Sequence, residues 1–421
     1  MSVADQPQHD PRDDDLLNAA RAALSQQRFG KIGIAVSGGG DSMSVLHVLS
    51  RVAHEGGFAV EAATVDHGLR DDAADEAHLV AQNCSQLGIP HTVLRWEGWD
   101  GTGNMMAAAR DARYRLVAEW ASIRGVHAVA LGHTADDIAE NFLIRLSRKA
   151  GPDGLAAMKA RFDRDGMTWI RPFLDQSRVD LRAYLQRHGV SWVDDPTNED
   201  ARFDRTQVRK ALPTLGALGI SADVLHSVSL SMQSARDALD HYANIEARRY
   251  VRQQDGDLVL RLGLTGPLPS EIKRRLWRAC VPWISGADYA PRHDALFTLI
   301  DGMATDGSGT VGGCLITRKG DDWRITREYQ AVRALREKTT ALWDGRWAVD
   351  GPHEDKYEVR ALGEAIQECP DWRESDLPRS SLIATPAIWR GDTLIAAPLA
   401  GQSNGWTAQI VADFHLHAFA H

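Results

Sequence analysis

The sequence predicts an α/β protein in which a doubly wound parallel sheet is followed by two smaller C-terminal domains, one α+β and one mostly β. Short apolar runs alternate with helical stripes through the first half of the 421-residue chain. This alternation is typical of a parallel sheet covered by helices on both faces. It stops near residue 215, and beyond residue 335 short strand-like runs with scattered tryptophans predominate.

The elements of the first half follow from hydrophobic spacing. Short apolar runs predict strands, and apolar positions three or four residues apart predict helices. The predicted strands cover 32–36, 60–65, 91–96 and 128–131, and the predicted helices cover 45–53, 77–87, 104–120 and 135–148. Because ligands of doubly wound sheets bind at the carboxyl ends of strands, the residues after each strand are the first candidates for a functional site.

The second half has a different organisation. It predicts a long helix over 225–251, a hairpin over 254–262, a helix over 271–283, a β-meander over 307–328 and a charged helical link over 333–338. A chain of this length exceeds one ordinary hydrophobic core. We expect a disordered acidic tail over 1–20, a catalytic domain over 21–214, an α+β domain over 215–330 and a mostly β domain over 335–421.

Composition favours a soluble cytoplasmic protein. Hydrophobic residues make up 43% and charged residues 25% of the chain, and the absence of a long uncharged apolar run predicts no membrane association. The four cysteines are scattered singly, which argues against a zinc or iron–sulfur site and fits a reducing compartment. The net charge of −9 disfavours nucleic-acid binding, but residues 145–187 carry ten Lys and Arg against five Asp. That segment is either a local nucleic-acid surface or a solvated face.

The segment after the first predicted strand carries the strongest functional signal. Ser37, three glycines, Asp41 and Ser42 lie between a buried strand and a helix, which directs several backbone N–H groups towards one point and predicts a phosphate or pyrophosphate site. The glycines are Gly38, Gly39 and Gly40. A carboxylate beside a bound phosphate implies a bridging Mg²⁺. The alternative is a plain glycine turn in which Asp41 or Ser42 caps the helix.

This motif resembles the pyrophosphate loop of the N-type ATP pyrophosphatases, whose pattern is Ser-Gly-Gly-x-Asp-Ser. The resemblance implies a PP-loop ATPase domain with a Rossmann-like sheet. It also implies cleavage of ATP to AMP and pyrophosphate, with AMP passed to a carbonyl-type oxygen of a substrate. The loop alone does not determine which substrate is used.

Two arginines share one face of the helix predicted over 104–120. Arg110 and Arg113 are three residues apart, and Arg113 interrupts the apolar stripe of that helix. An arginine on a buried stripe needs an anion. A triphosphate or a core carboxylate would each satisfy it.

A second motif follows the fourth predicted strand. His133 ends the strand, and Asp137 and Glu140 share a face near the start of the next helix. Acids in a first helical turn are also ordinary partners of the helix dipole. The stretch resembles the family pattern His-x-x-Asp-Asp-Gln-x-Glu-Thr. The chain departs from this pattern at two positions, with Ile138 in place of Gln and Asn141 in place of Thr.

Further motifs narrow the resemblance to the tRNA(Ile)-lysidine synthetase family. They lie at 65–70, 151–155, 171–174, 192–198 and 202–209, with Thr206 where the family usually has Asn. The resemblance implies ligation of free L-lysine to C2 of the wobble cytidine in the CAU-anticodon isoleucine tRNA. ATP and Mg²⁺ would be required, an adenylated cytidine would be the intermediate, and decoding would change from AUG to AUA. No obligate protein partner is evident.

The resemblance also implies roles for individual residues. The catalytic residues would be Asp41, Arg113 and Asp137, and Mg²⁺ would be held by Asp41 and Asp137. The nucleotide would be bound by residues 37–42 with Asp66, Arg110, Gly132 and His133. The lysine amine would be bound by Glu140, and phosphates of the anticodon arm by Arg202, Arg205 and Arg209, which share one helical face. A merely solvated face remains the alternative for these three arginines.

Two other hypotheses are compatible with parts of the sequence. An ATP pyrophosphatase acting on a small molecule would need no C-terminal RNA-binding domains, so it would remain active without the residues beyond 215. A non-catalytic RNA-binding protein would have lost its nucleotide site, and the intact nest at 37–42 with Asp137 and Glu140 argues against this.

Overall fold

The computed structural model describes residues 10–25, 29–68, 73–97, 99, 105–194, 204–261, 268–287, 291, 293–303 and 305–417. The chain divides into two units, Met1–Arg236 and Asp237–His421. Each unit has its own hydrophobic core and is described by itself. The predicted tail and catalytic domain lie in the first unit.

The first unit contains a mixed set of strands and helices. The strands are β1 (Lys31–Ala35), β2 (Ala59–Asp66), β3 (His91–Arg95), β4 (Ala128–Ala130), β5 (Arg161–Arg164) and β6 (Met167–Ile170). The helices are α1 (Asp14–Ser25), α2 (Gly40–Gly56), α3 (Ala73–Gln86), α4 (Met105–Ile123), α5 (Ala135–Ser147), α6 (Pro152–Leu155), α7 (Arg178–Arg187), α8 (Asp204–Ala217) and α9 (Ala222–Tyr250). Helix α9 continues past the division into the second unit.

One sheet organises this unit and has the strand order β3-β2-β1-β4-β6-β5. Strand β1 pairs in parallel with β2 on one side and with β4 on the other, while β5 is an antiparallel edge strand beside β6. The strands that follow β1 are therefore added first on one side of it, as β2 and β3, and then on its other side, as β4 and β6. The order of strands thus reverses at β1. Ligands bind at such a reversal, outside the carboxyl ends of the strands. The predicted α/β fold class is confirmed.

Two cores cover the two faces of the sheet. On one face, apolar side chains of α1, α2, α3 and α7 pack on Ile34 and Ala62. On the other face, Tyr114 of α4 lies against Trp169 of β6 with ring centroids 4.7 Å apart. Each fully buried leucine or isoleucine of such a core contributes about 1.5–3 kcal/mol to stability. The carboxyl ends of the strands are left at the edge between these layers.

From Asp10 onwards the structure differs from the disordered tail predicted over 1–20, while residues 1–9 lie outside the described residues. Pro11–Asp13 forms a turn of 3₁₀-helix and leads directly into α1. Leu16 and Leu17 of α1 are 2% and 1% exposed in the core of the first unit. The acidic composition of 1–15 suggested solvent exposure, but α1 is amphipathic and its apolar face is buried.

Asp13 ties this segment to the rest of the unit. Its fully buried carboxylate accepts hydrogen bonds from Arg51 of α2 (2.8 Å), Arg187 of α7 (2.8 Å) and His188 (2.7 Å). Burial raises the pKa of Asp13, but the hydrogen bonds from Arg187, Arg51 and His188 outweigh burial and lower it. The ionised carboxylate therefore stabilises the docked segment.

We expect Asp13→Asn to destabilise the first unit at neutral pH and to weaken the acid dependence of stability. Because the folded pKa lies below the unfolded value of about 3.9, the contribution is present above that value and is lost as pH falls through the folded pKa. Urea unfolding from about pH 7 to about pH 3 would measure this. An unchanged pH dependence would show that Asp13 is not ionised in the folded state.

The second unit is rich in antiparallel strands. The strands are β7 (Val251–Gln254), β8 (Asp257–Arg261), β9 (Gly307–Val311), β10 (Cys314–Lys319), β11 (Asp322–Arg327), β12 (Glu337–Lys338), β13 (Trp347–Asp350), β14 (Glu358–Ala361), β15 (Pro386–Arg390), β16 (Thr393–Ala396) and β17 (Thr407–Ile410). The helices are α10 (Ser270–Ser285), α11 (His293–Gly302), α12 (Tyr329–Val332), α13 (Arg379–Leu382) and α14 (Phe414–His417). Sheets with the orders β7-β8-β11-β10-β9, β12-β14-β15-β16 and β13-β17 are present.

In the second unit the predicted β-meander is confirmed, but the predicted helical link is not. Strands β9, β10 and β11 pair antiparallel in sequence, as expected over 307–328. The helix expected over 333–338 is wrong, because α12 ends at Val332 and Glu337–Lys338 pairs with β14. The side chains of 333–338 are exposed and offer no apolar face for a helix to bury, whereas charged residues suit an edge strand.

No single helix in the described ranges is long and apolar enough to cross a membrane. Helices α8 and α9, which meet at 101°, pass that test of length and composition only as a bent pair.

Candidate active site

The glycine segment after β1 forms a nest at the start of α2. Gly38 has φ +85°, a left-handed conformation that glycine adopts without strain. Ser42 Oγ accepts from the Ser37 N–H (3.1 Å) and donates to the Gly39 carbonyl (2.9 Å), which closes the turn. The N–H groups that begin α2 have no partner within the helix itself. They form an anion-binding end at the carboxyl edge of the sheet.

A distant backbone segment braces this nest. The Val193 N–H donates to the Gly38 carbonyl at 3.0 Å, and Gly39 and Val193 form a parallel bridge. Because a peptide unit is planar and trans, fixing the Gly38 carbonyl on one side turns the Gly39 N–H to the opposite side. The indole of Trp192 packs beside Gly40, where an added Cβ would lie 3.4 Å from it.

Gly132 allows the end of β4 to touch the nest. A Cβ built at this position would lie 2.8 Å from the Ser42 nitrogen and 2.9 Å from the Asp41 carbonyl carbon. Real Cβ atoms do not approach backbone this closely. Only glycine fits here, because the end of β4 lies directly against the nest that follows β1. Gly132, which was predicted to contact the nucleotide, therefore also has a steric role.

Asp41 presents a carboxylate oxygen with no internal partner. Its Oδ2 accepts from Arg178 Nε at 3.1 Å, but its buried Oδ1 has no hydrogen-bond partner among the described residues. Burial raises the pKa of Asp41, and the negative charge of Asp137 raises it further. The positive charge of Arg178 lowers it, but the pKa remains raised overall. A buried acceptor of this kind carries an energetic cost unless a ligand supplies the missing contact.

Asp137 combines a capping role with a position in the site. Its Oδ2 accepts from the Thr134 N–H (3.0 Å) and the Thr134 Oγ1 (3.1 Å), which makes a capping box at the start of α5. Its Oδ1 lies 3.6 Å from Arg178 Nη2. Burial raises the pKa of Asp137, but Arg178, His133 and the Thr134 N–H lower it overall. Asp137 Oδ2 therefore has the ordinary role of an acid at a helix start. Asp137 Oδ1 faces Arg178 in the site.

Glu140 is fully buried between two arginines. Its Oε1 accepts from Arg178 Nη1 (3.1 Å) and Arg209 Nε (2.6 Å), and its Oε2 accepts from Arg209 Nη2 (3.2 Å). Arg209 was expected to share a phosphate-binding face with Arg202 and Arg205. In the structure its guanidinium is directed at Glu140 instead, because a buried carboxylate requires a charged partner.

We expect Glu140→Gln to lower the free energy of unfolding of the first unit by about 3 kcal/mol, since it leaves two largely buried guanidinium groups facing a neutral amide. Chemical denaturation would measure the change. Glu119→Gln, on the exposed side of α4, is the matched control. A Glu140→Gln effect no larger than that of Glu119→Gln would contradict the ion-pair account.

Arg178 links the acidic residues and was not singled out from the sequence. Its side chain pairs with Asp41, Asp137 and Glu140, and its backbone N–H donates to Asp136 Oδ2 at 2.7 Å. The carboxylates raise the pKa of Arg178 despite its burial. One signal was available: Arg178 is the first residue of α7, and a cation at a helix N-terminus is unfavourable unless an acid is near.

A cluster of cations lies next to these acids. Arg113 is buried enough that desolvation lowers its pKa, and Arg110 and Arg205 lower it further. Among the described residues no carboxylate forms an ion pair with Arg113. The core carboxylate that the sequence left open as its partner is therefore not observed. A cationic cluster of this kind is suited to an external anion.

His133 is neutral within this cluster. Burial lowers its pKa to about 3, with Arg171, Arg113 and Arg110 adding to the effect and Asp137 opposing it. Arg171 Nε lies 3.3 Å from His133 Nδ1. Arg171 is held in turn by the Lys159 carbonyl (2.6 Å) and by the face of Phe162.

Three predicted site residues remain, together with Ile138, a departure from the family pattern. Asp66 ends β2 next to β1, and its Oδ1 accepts from the Gly68 N–H at 2.9 Å. Arg205 is exposed at the start of α8, and its charge acts on Arg113 and Asp137. Arg202 lies outside the described residues. Ile138, where the family pattern has Gln, is buried in a small apolar cluster with Ala157 and Leu174, which gives its departure a packing reason.

Proteins of similar sequence identify the family of this chain. Residues 14–215 match the family described as PP-loop domain. A curated tRNA(Ile)-lysidine synthase of Ruegeria pomeroyi is 46% identical over 411 residues, which cover 97% of this chain and 98% of that protein. The chain belongs to the tRNA(Ile)-lysidine synthase family.

Other relatives extend the comparison. The tRNA(Ile)-lysidine synthase of Zymomonas mobilis subsp. mobilis is 37% identical over 321 residues, 75% of this chain and 94% of that protein. That of Wolbachia pipientis wMel is 32% identical over 330 residues, 76% of each chain. The predicted family is confirmed, and the chain is a ligase of the PP-loop type in this family.

Proposed function

We propose that the chain ligates free L-lysine to C2 of the wobble cytidine in the CAU-anticodon isoleucine tRNA, with ATP cleaved to AMP and pyrophosphate. The observation that carries the proposal is the glycine nest beside paired acids, in a chain similar over 97% of its length to a lysidine synthase. The product decodes AUA in place of AUG. The reaction would take place in the cytoplasm, where tRNA, ATP and free lysine are present together.

The nest would hold the β- and γ-phosphates of ATP. The backbone N–H groups at the start of α2 and the Ser37 hydroxyl supply donors at one point, and the dipole of α2 favours the negative charge. Asp66, at the neighbouring strand end, would contact the nucleoside part. The charges of Arg110 and Arg113 on α4 act on His133 at the end of β4, and these three residues would bind the α-phosphate region.

Adenylation requires charge to be offset at the α-phosphate. The cytidine C2 oxygen attacks phosphorus, a new O–P bond forms, and the bond to the pyrophosphate oxygen breaks. Arg113 has no carboxylate partner among the described residues, so its charge is available to the developing phosphorane oxygens. Fixed charges in a dehydrated site stabilise such a transition state strongly.

Mg²⁺ would be held by Asp41 and Asp137 together with phosphate oxygens. The fit rests on the unpartnered Oδ1 of Asp41 and on the Arg178 guanidinium, which already places a positive charge between the two carboxylates. The described residues contain no set of three protein ligands, and Mg²⁺ commonly relies on one or two carboxylates plus phosphates. When bound, Mg²⁺ would neutralise charge on the phosphates.

The lysine amine must lose a proton before it attacks C2 and releases AMP. Glu140 lies next to Asp137 on α5 and was expected to bind the ammonium. Its present partners are Arg178 and Arg209, so lysine would enter by exchanging with one of these guanidinium groups. Asp137 Oδ1 offers a second acceptor at the same place.

The tRNA would reach the site from the side of α8. Arg205, on that helix, is exposed and acts electrostatically on the site, and the basic segment 145–187 supplies further cations for backbone phosphates. The wobble base must leave its stack to reach the nest. The domains expected over 215–330 and 335–421 would recognise the rest of the tRNA, which distinguishes it from methionine tRNAs with the same anticodon.

ATP labelled at its α-phosphorus tests this order of events. Without lysine, we expect the label to become attached to CAU-anticodon isoleucine tRNA. Addition of lysine should release the label as AMP. Cleavage of ATP with a small acid or amide in the absence of tRNA would instead favour a small-molecule ligase, which the full-length similarity does not favour.

A further inference from the structure

Arg171 lies beside the site without touching the acids or the nest. It is 8% exposed and follows β6, in one of the motifs that no role in the reaction has yet used. Its Nη1 donates to the Lys159 carbonyl, its guanidinium covers the Phe162 ring at 4.2 Å, and its Nε points to His133 Nδ1. Three contacts therefore fix the direction in which Nε donates.

A guanidinium has only donors, and it stays protonated in proteins. The ring nitrogen that faces it must therefore offer a lone pair. A hydrogen on His133 Nδ1 would meet the hydrogen on Arg171 Nε. The proton of the neutral imidazole then resides on Nε2, the other ring nitrogen.

His133 Nε2 has no hydrogen-bond partner among the described residues. The groups whose charges act on this ring are Asp137 of α5, Arg171, and Arg113 and Arg110 of α4. The ring thus carries one directed N–H at the carboxyl end of β4, in a cluster with an excess of cations. Such a donor matches a phosphate oxygen.

The geometry points to Arg171 as a positioning residue, which holds His133 as the Nε2–H tautomer so that it donates a hydrogen bond to a nucleotide phosphate oxygen. On this account His133 is a neutral donor and not a proton carrier. The inference rests on the proposed ATP site, but it concerns the state of the ring before any reaction. It can therefore fail or stand separately from lysine transfer.

The tautomer can be observed directly in the full-length protein labelled with ¹⁵N-histidine. The His133 resonances are identified by their loss in His133→Gln. We expect a proton-bearing Nε2 and an unprotonated Nδ1 in the wild type, and a new Nδ1–H or doubly protonated form in Arg171→Met. Arg164→Met also removes an arginine stacked on an aromatic ring, in this case the ring of Tyr114, but not one that contacts His133, so it should leave the tautomer unchanged.

ATP binding supplies the second readout. Arg171→Met and His133→Gln should each weaken ATP binding about ten- to a hundredfold, the range for one hydrogen bond to a charged group, and the double variant should add little. Calorimetric titration measures this without tRNA or lysine. A wild-type Nδ1–H tautomer, or fully additive losses in the double variant, would overturn the inference. The wild-type spectrum decides the first point even if Arg171→Met does not fold.

Discussion

Asp41→Asn is expected to lower the rate of lysine transfer by about a hundred- to a thousandfold, the loss typical for removal of one preorganised electrostatic contact at a reacting phosphate. The amide keeps the size of the side chain but loses the charge. Asp41 Oδ1 has no hydrogen-bond partner among the described residues, so its charge would be available to hold the proposed Mg²⁺. The measurement is the initial rate at saturating ATP, lysine and tRNA.

Asp15→Asn is the matched control for this variant. Asp15 is also an acid in the first turn of a helix of the same unit, but it is exposed on α1 and is not part of the nest. We expect it to leave the rate unchanged. The raised pKa of Asp41 shows that burial disfavours its charged form. Asp41→Asn removes that charge, so it should not destabilise the fold. A rate within threefold of the wild type, about 0.7 kcal/mol, would contradict the assigned role.

Gly132→Ala is expected to disturb both folding and catalysis. The added methyl would meet the backbone of Asp41 and Ser42 at 2.8 to 2.9 Å, and backbone cannot rotate away as a side chain can. Overpacking of this kind costs about 1–3 kcal/mol of stability. A displacement of the nest by about 1 Å should reduce the rate by about a hundredfold. Thermal unfolding and initial rates would measure the two effects.

Gly216→Ala provides the control for a glycine in the same unit. Gly216 lies in α8, and a Cβ there would meet nothing within 4 Å. Alanine favours a helix over glycine by about 1 kcal/mol, so we expect no loss of stability. If Gly132→Ala behaved like Gly216→Ala, the close approach of β4 to the nest would be wrong.

The parts of the site that lie within short stretches of sequence were predictable. The nest at 37–42 and the positions of His133 and Asp137 follow from local spacing at the ends of strands. Parallel strands bring these ends to one edge, so the sequence also indicates that they meet. The helix caps and the glycine conformation require no knowledge of the distant chain.

The contacts between distant segments were not predictable in this way. Arg178 is 137 residues from Asp41 in the chain, and the Val193 N–H reaches the Gly38 carbonyl from a similar separation. Nothing in the local sequence distinguishes Arg178 from the other basic residues of 145–187. Arg171 lies in the motif at 171–174, but that motif does not indicate its contact with His133. Their roles depend on packing of α7 and β6 beside the nest, which no local pattern records.

Burial explains two further differences. The acids of 1–15 suggested a solvated tail, yet the carboxylate of Asp13 is buried and pairs with Arg51 and Arg187. The spacing of Arg205 and Arg209 suggested one phosphate-binding face, yet Arg209 turns to Glu140. In both cases a charge pattern gave the composition of a surface but not the partner of each charge.

The most direct test of the account is transfer of radiolabelled lysine to transcribed tRNA in the presence of ATP and Mg²⁺. We predict that lysine enters the CAU-anticodon isoleucine tRNA and not the methionine tRNAs with the same anticodon. Asp15→Asn should transfer lysine at the wild-type rate, and Asp41→Asn far more slowly. Absence of transfer to any of these tRNAs, with other amino acids equally inactive, would contradict lysidine formation.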